Sequence, residues 1–273
     1  MLDIALPFHL LQQLVATVLA AAHSGLAALG LAPDSGLTWS LSIAVLVVSV
    51  RVALLPLAAH GIRTARAAAR ARPAQQEVTR RYAGKRDLES LQAMRAEQRA
   101  IHAEHGVSAL GCLPVLLQLP ILFALYGALS AVATRQPIGA MDVALVASAG
   151  SASLLGVTLA DRWGGTWAAS PWHALVIVAL AATSAGLSYT TQRWFVLPNT
   201  VLAGLPTQMA HVHRFMPALS AVGVLFAAGA VPVGLLVYWV ASNAWTLGQS
   251  AVVCRWFPTP GSAAFTAWEA RRA

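Results

Sequence analysis

Charge is what this chain has least of: only 10% of its 273 residues are Asp, Glu, Lys or Arg, where an average soluble protein has about 25%. With 58% hydrophobic residues and a mean hydropathy of +0.65, a soluble enzyme is excluded and a polytopic membrane protein is the class that remains. Cysteine is nearly absent, at two residues, so no disulfide framework holds the fold. Cys112 and Cys254 are expected to be free, buried thiols near the cytoplasmic ends of spans. No Gly-rich phosphate loop is present, and no H-E-x-x-H metal motif. His102, Glu104 and His105 cluster as H-A-E-H, and His211 and His213 alternate with no carboxylate near; neither set has zinc-ligand spacing. No cofactor, no metal and no enzymatic activity are therefore expected. The N-terminal MLDIALPFHLLQQ carries Asp3 where a secretory leader would be basic, so no cleaved targeting segment is expected.

What charge there is lies in one place. Ten of the 18 Lys and Arg residues fall between Arg63 and Arg99. The positive-inside rule puts that segment in the cytoplasm, facing anionic headgroups or a ribosomal surface rather than nucleic acid. One arginine stands apart. Arg51 sits in the apolar run LTWSLSIAVLVVSVRVALLPLAA, Leu37 to Ala59, long enough to cross a bilayer. Placing Arg near the centre of a span costs on the order of 3 kcal/mol. Two readings are open: the helix ends near Pro56 and the guanidinium snorkels to the interface, or Arg51 faces a water-filled cavity between helices.

Organisation follows from the remaining apolar runs. Residues 1–36 hold an Ala-rich apolar stretch, 8–31, broken by Gln12, Gln13 and His23, which could span but is read by preference as a helix along the outer interface, before a Pro33–Asp34–Gly36 turn. Residues 37–59 form the first span. Residues 60–107 form a basic helical hairpin divided at Gly84, its second arm capped by Asp87 and ended by Gly106. Residues 108–253 supply four more spans, with an outer loop at 133–170 and a cytoplasmic loop at 190–215; a cytoplasmic tail covers 254–273. Ser148, Gly150, Ser151, Ser153 and Gly156 make the apolar 143–160 stretch a poor span. The fourth span, from Met216, has only about 15 apolar residues, roughly 22 Å of helix against about 30 Å of hydrocarbon. Pro232 turns it tightly into the fifth.

Polar residues in these spans are the candidate site. In PVGLLVYWVASNAWTLGQSAVV, Trp239, Ser242, Thr246 and Gln249 recur at helical spacing, with Tyr238 and Asn243 beside them. Interhelical hydrogen bonding explains such a stripe by itself. Together with Arg51 and with Gln118 on the second span, it also suits a shared hydrated cleft. On the hairpin, Arg80, Arg81, Lys85 and Arg86, with the apolar Leu88, Leu91 and Met94, are the candidate docking contacts, against the alternative of a self-packed, solvated hairpin.

Three blocks resemble the YidC/Oxa/Alb membrane protein insertases: VSVRVALLPL around Arg51, EHGVSALGCLPVLLQLPILFALY from Glu104 to Tyr126, and FMPALSAVGVLFAAGAVPVGLLVYWVASNAWTLGQ from Phe215 to Gln249. They occur in the family's order, with the basic hairpin where the family keeps its own. The resemblance implies an all-α fold with five transmembrane helices around a hydrophilic groove, an N-terminal interfacial helix and a cytoplasmic helical hairpin. The groove would be open to cytoplasm and lipid and closed toward the outside. Arg51 would be its arginine, Gln118 its polar residue on the second span, and Trp239 its aromatic on the last. The chain departs from the pattern at Ser108 and Ala109, where members often carry Asn-Pro. It has neither the large periplasmic domain of Gram-negative members nor the long basic tail of mitochondrial ones, so stable ribosome tethering is not expected.

The function implied is insertion and chaperoning of nascent membrane proteins in the bacterial plasma membrane, by a monomer with its N-terminus outside and its C-terminus cytoplasmic. Contact with a Sec translocon or a ribosome would be transient. Two other classes also use these features: a small-molecule anion transporter, against which stands the lack of an internal repeat of broken spans, and a scaffold subunit of a membrane complex.

Overall fold

The computed structural model describes residues 5–85, 87–108, 120–121, 123–128, 130–131, 136–163, 170–202 and 207–273. The chain divides into two compact units. The first comprises 1–53, 116–190 and 217–247; the second comprises 54–115, 191–216 and 248–273. Among the described residues the architecture is all-α apart from one hairpin of two-residue strands. Three helical stretches among the described residues are long and apolar enough to cross a membrane: His9–Ala28, Gly36–Ala53 and Pro171–Val196.

In the first unit, α1 (Ala5–Ala28) and α2 (Gly36–Ala53) pack side by side. Val15, Ala16, Leu19 and Ala20 form one buried stripe of α1, at the i, i+4 spacing of a single helix face. Trp39, Ile43, Leu46 and Val47 do the same on α2. The loop between them is held by polar groups. His23 stacks on the buried Trp39 ring at 4.0 Å, and its Nε2 lies 2.8 Å from the Pro33 carbonyl. Ser35 Oγ accepts the Thr38 N–H at the start of α2, satisfying one of the donors a helix start leaves free.

Residues 142–158 fold as α5 (Val143–Ser151), capped by Asp142, and a hairpin of β1 (Ser153–Leu154) and β2 (Val157–Thr158). The hairpin turn uses Leu155 at φ 54° and Gly156 at φ 85°, the two positive angles of a type I′ turn. The Leu155 carbonyl accepts from Trp172 Nε1 at 2.8 Å. Gly36 admits the hairpin to α2, since a Cβ there would overlap the Ser153 carbonyl. At nine residues α5 is too short to span, in keeping with the small polar residues that interrupt its sequence. α6 (Pro171–Thr190) follows, with Val176, Ile177 and Ala181 in the core.

In the second unit, α3 (Leu55–Arg81) and α4 (Leu88–Glu104) make the basic hairpin. The break between α2 and α3 falls at Leu54, with Pro56 in the first turn of α3. Proline lacks the N–H that would continue the ladder, and fits the first turn of a new helix. The helix expected to run over 37–59 therefore ends at Ala53, and 55–59 belong to α3. Thr64, Ala67, Ala71 and Val78 are the buried face of α3. Gly84, at φ +87°, makes the turn. Asp87 Oδ2 accepts the Ser90 N–H at 2.7 Å, and hydrogen bonding from the Ser90 side chain, then from its backbone, holds the Asp87 carboxyl below the usual carboxylate range. Gly106, at φ +66°, closes α4: Val107 N–H reaches the His102 carbonyl and Gly106 N–H the Ala103 carbonyl.

Two boundaries differ from those expected. The loop at 190–215 is largely helical: a π-helical turn, Thr191–Val196, extends α6, and α7 (Thr207–Ala228) starts nine residues ahead of the Met216 boundary. The polar residues His211, His213 and Arg214 end the apolar run without ending the helix, because backbone bonding continues wherever side chains can face solvent. α8 (Val233–Trp256) runs three residues into the tail, which then folds as a short helix, α9 (Ala263–Ala270), capped by Ser262. Cys254 is a free thiol but half-buried, against the buried position expected; Cys112 lies outside the described residues.

Candidate functional site

The site lies within the first unit, where α2 and α8 meet. Arg51 is in the last turn of α2, and its Nη2 donates to Ser242 Oγ at 2.9 Å and to Thr246 Oγ1 at 3.3 Å on α8. Thr246 Oγ1 in turn donates to the Ser242 carbonyl, 2.8 Å away. Residues four apart on a helix sit one above the other. That spacing lets both hydroxyls meet one guanidinium. No carboxylate pairs with Arg51 among the described residues. A guanidinium does not lose its proton in a protein, so the site keeps a full positive charge solvated by hydroxyl dipoles.

The surroundings of that charge are apolar. Val15 of α1, Leu46, Val47 and Val50 of α2, Leu125 and Tyr238 line a cavity beside Arg51 with about 10 Å³ of water-accessible space. That is room for roughly one water. Low-polarity walls strengthen any interaction the guanidinium makes, since its field is poorly screened there.

The predicted polar set is divided by the fold. Arg51, Tyr238, Ser242 and Thr246 come together. Asn243, next in the stripe, points elsewhere and donates from Nδ2 to the buried Ser184 Oγ of α6 at 2.9 Å. Trp239 packs against the apolar core. Gln118 lies outside the described residues. Two contributors were not anticipated. Ser184 is one serine in an Ala- and Ser-rich helix, with nothing in its spacing to single it out. Val15 had a usable signal, the buried-face spacing of Val15, Ala16, Leu19 and Ala20.

On the hairpin, the docking residues serve several ends. Arg81 Nη2 pairs with Glu97 Oε2 at 2.6 Å, and Tyr82 Oη donates to Glu97 Oε1 at 2.8 Å, so Arg81 ties α3 to α4. That bond to Glu97 raises the Tyr82 hydroxyl above its ordinary range. Arg80 pairs with Glu77 within α3. Lys85 lies over the Tyr82 ring at 5.0 Å. Leu88 is 71% exposed, whereas Leu91 and Met94 are half-buried. Arg86 lies outside the described residues. Among the described residues no three His, Cys, Asp or Glu side chains converge to hold a metal ion.

An all-α, multi-pass membrane protein with a guanidinium held between two helices by two hydroxyls is the class that this fold and site define. The 60Kd inner membrane protein family matches residues 30–260, and the chain belongs to that family, the YidC/Oxa/Alb group. It is 34% identical over 247 residues to a membrane protein insertase YidC of Streptomyces avermitilis, covering 86% of this chain and 55% of that protein. To the membrane protein insertase YidC of Tropheryma whipplei strain Twist it is 30% identical over 253 residues, 89% of this chain and 82% of that one. The Bacillus subtilis membrane protein insertase MisCA is 26% identical over 220 residues, 80% of this chain and 71% of its own length. The chain thus spans little more than half of the Streptomyces relative.

Proposed function

We propose that this chain inserts nascent membrane proteins into the plasma membrane and assists their folding, moving short polar segments across the bilayer without nucleotide hydrolysis. The observation that carries the reading is Arg51, a charge bonded to Ser242 and Thr246 and to no carboxylate among the described residues. In this scheme an acidic segment of a client is drawn to Arg51 in a medium of low dielectric. Its apolar segment then partitions into lipid, and hydroxyls take the guanidinium back when the segment leaves. Gln118 adds a further polar group to the lining, while Asn243, bonded to Ser184, and Trp239, packed on the core, hold α8 in place behind it.

Five spans enclose this groove: α2, the second at 111–132, α6, α7 and α8. α1 lies on the outer side, and the hairpin and tail are cytoplasmic, as the crowding of basic residues from Arg63 to Arg99 supports. The hairpin receives the client, with Leu88 its most exposed apolar contact. The protein works as a monomer, with transient contacts to a translocon or ribosome.

The test is protease protection of a single-span client with an acidic outer tail, in liposomes containing the wild-type chain or Arg51→Ala. Insertion is expected to fall by roughly tenfold or more in the variant, the scale of a lost contact to a charged group, and to recover when the client tail is neutral. Equal insertion by both proteins removes Arg51 from the mechanism. No insertion by wild type, with saturable uptake of a small anion, replaces the reading by a transporter.

A further inference from the structure

A second cavity lies in the second unit, where the end of α8, the chain after the π-helical turn and α9 meet. It is open to its surroundings and offers about 360 Å³ of water-accessible space, within the roughly 300 to 1,000 Å³ range of small-molecule sites. Phe195, Pro198, Ala264 and Ala267 contribute apolar walls, and Arg255 and Arg271 contribute the two charges. The walls are anchored. Ala264 N–H donates to the Pro198 carbonyl at 3.0 Å, Thr259 N–H to Asn199 Oδ1 at 2.7 Å, and Arg271 Nη2 to the Arg255 carbonyl at 3.5 Å. Neither arginine forms an ion pair with a carboxylate among the described residues, and both are exposed.

Around this cavity the unit carries the marks of a membrane–water interface. Trp194 and Trp256 are 64% and 57% exposed. Arg193 lies over the Trp194 ring at 5.8 Å, and Arg272 over the Trp268 ring at 4.1 Å. Exposed tryptophans interleaved with arginines are what an interfacial belt needs, since indole prefers headgroup depth and guanidinium meets phosphate. A free inorganic anion needs the arginines but has no use for apolar walls. A neutral lipid needs the walls but leaves two unpaired guanidinium groups.

We propose that this cavity binds one anionic phospholipid, its phosphate on Arg255 and Arg271 and the proximal part of an acyl chain against Phe195, Ala264 and Ala267, so that a bound lipid fastens α9 to the end of α8. The inference needs only residence in a membrane, and stands whether or not Arg51 acts on clients.

Native mass spectrometry of the full, delipidated chain tests it, titrating phosphatidylglycerol, phosphatidylcholine or inorganic phosphate. One phosphatidylglycerol per chain is expected to bind roughly thirtyfold tighter than phosphatidylcholine, the scale set by two basic residues at an anionic headgroup. Arg255→Gln with Arg271→Gln should abolish that preference, Arg255→Lys with Arg271→Lys should retain most of it, and Arg95→Gln with Arg99→Gln on the hairpin should leave it unchanged. Ala267→Trp, which fills the cavity at constant charge, should weaken phosphatidylglycerol binding. Equal binding of the two lipids, or an unchanged preference in the double Gln variant, overturns the proposal. Displacement of the lipid by millimolar phosphate, with Ala267→Trp indifferent, reduces the site to a free-anion site and overturns it as well.

Discussion

Arg51 and Ser242 are 191 residues apart in sequence, and the guanidinium Nη2 of one lies 2.9 Å from the hydroxyl of the other. The bond answers the question posed by an arginine in an apolar helix. α2 does end just beyond Arg51, as a snorkelling side chain would need, yet the guanidinium is held by α8. A charge in apolar surroundings whose partners among the described residues are hydroxyls is costly to keep.

The first prediction follows from that cost. Arg51→Met removes a partly buried charge while keeping a long, flexible side chain, and should stabilise the protein by about 1 kcal/mol. Thermal unfolding in detergent should show a higher midpoint in the same variant that fails to insert an acidic-tailed client. A lower midpoint would mean that Arg51 is a structural residue.

The hydroxyl pair should matter jointly. Ser242→Ala with Thr246→Ala strips both acceptors from a charged donor, each contact being of the scale of about 1.5 to 3 kcal/mol. The double variant should lower the unfolding midpoint relative to either single variant, and restoring either hydroxyl should recover part of the loss. Arg51→Met in the same background should cancel most of the difference.

Gly36 tests the packing of the outer hairpin. A methyl group there would collide with the Ser153 backbone, and overpacking of this kind costs about 1 to 3 kcal/mol. Gly36→Ala should therefore reduce stability by that amount, and hydrogen exchange should quicken at Leu154 and Val157 rather than in the basic hairpin.

Glu97 holds the two hairpin arms through Arg81 and Tyr82. Its pair is exposed enough that Glu97→Gln should change global stability by less than about 1 kcal/mol. The local effect should be larger: trypsin should cut after Arg81 several times faster in the variant. Unchanged cleavage would show that other contacts close the hairpin.

The cap of α4 carries a pH dependence. The Asp87 carboxyl is held below its ordinary value of 3.8 by hydrogen bonding from Ser90. A lowered folded-state value means the contribution is fully present above the ordinary value and is lost as pH falls through the folded one. Exchange protection of the Ser90 amide should accordingly stay level from neutral pH down to that value and drop below it. Asp87→Asn, which caps without titrating, should show no such drop.

The polar stripe of α8 was readable because its members recur at helical spacing, and 3.6-residue periodicity needs no partner to be seen. The assignment of each member to a neighbour was not readable. Ser242 and Thr246 turn to Arg51, while Asn243, one position on, turns to Ser184. The 190–215 segment was misread for a related reason. Apolar run length reports burial, and α7 continues through His211, His213 and Arg214, where burial stops but backbone bonding does not.

Composition alone determined that this is a membrane protein, because 58% hydrophobic residues with 10% charge cannot be hidden inside a soluble fold of 273 residues. Local chemistry likewise determined the Gly84 turn, the Asp87 cap and the Gly106 stop, each of which depends on one residue's own backbone and side chain. Only the tertiary structure decided that α1 presents Val15 to the Arg51 cavity, that α8 supplies its hydroxyls, and that the tail folds back as α9 over a second cavity. Those outcomes depend on which helix faces meet across long separations in sequence, and helix propensity and periodicity carry no record of the partner.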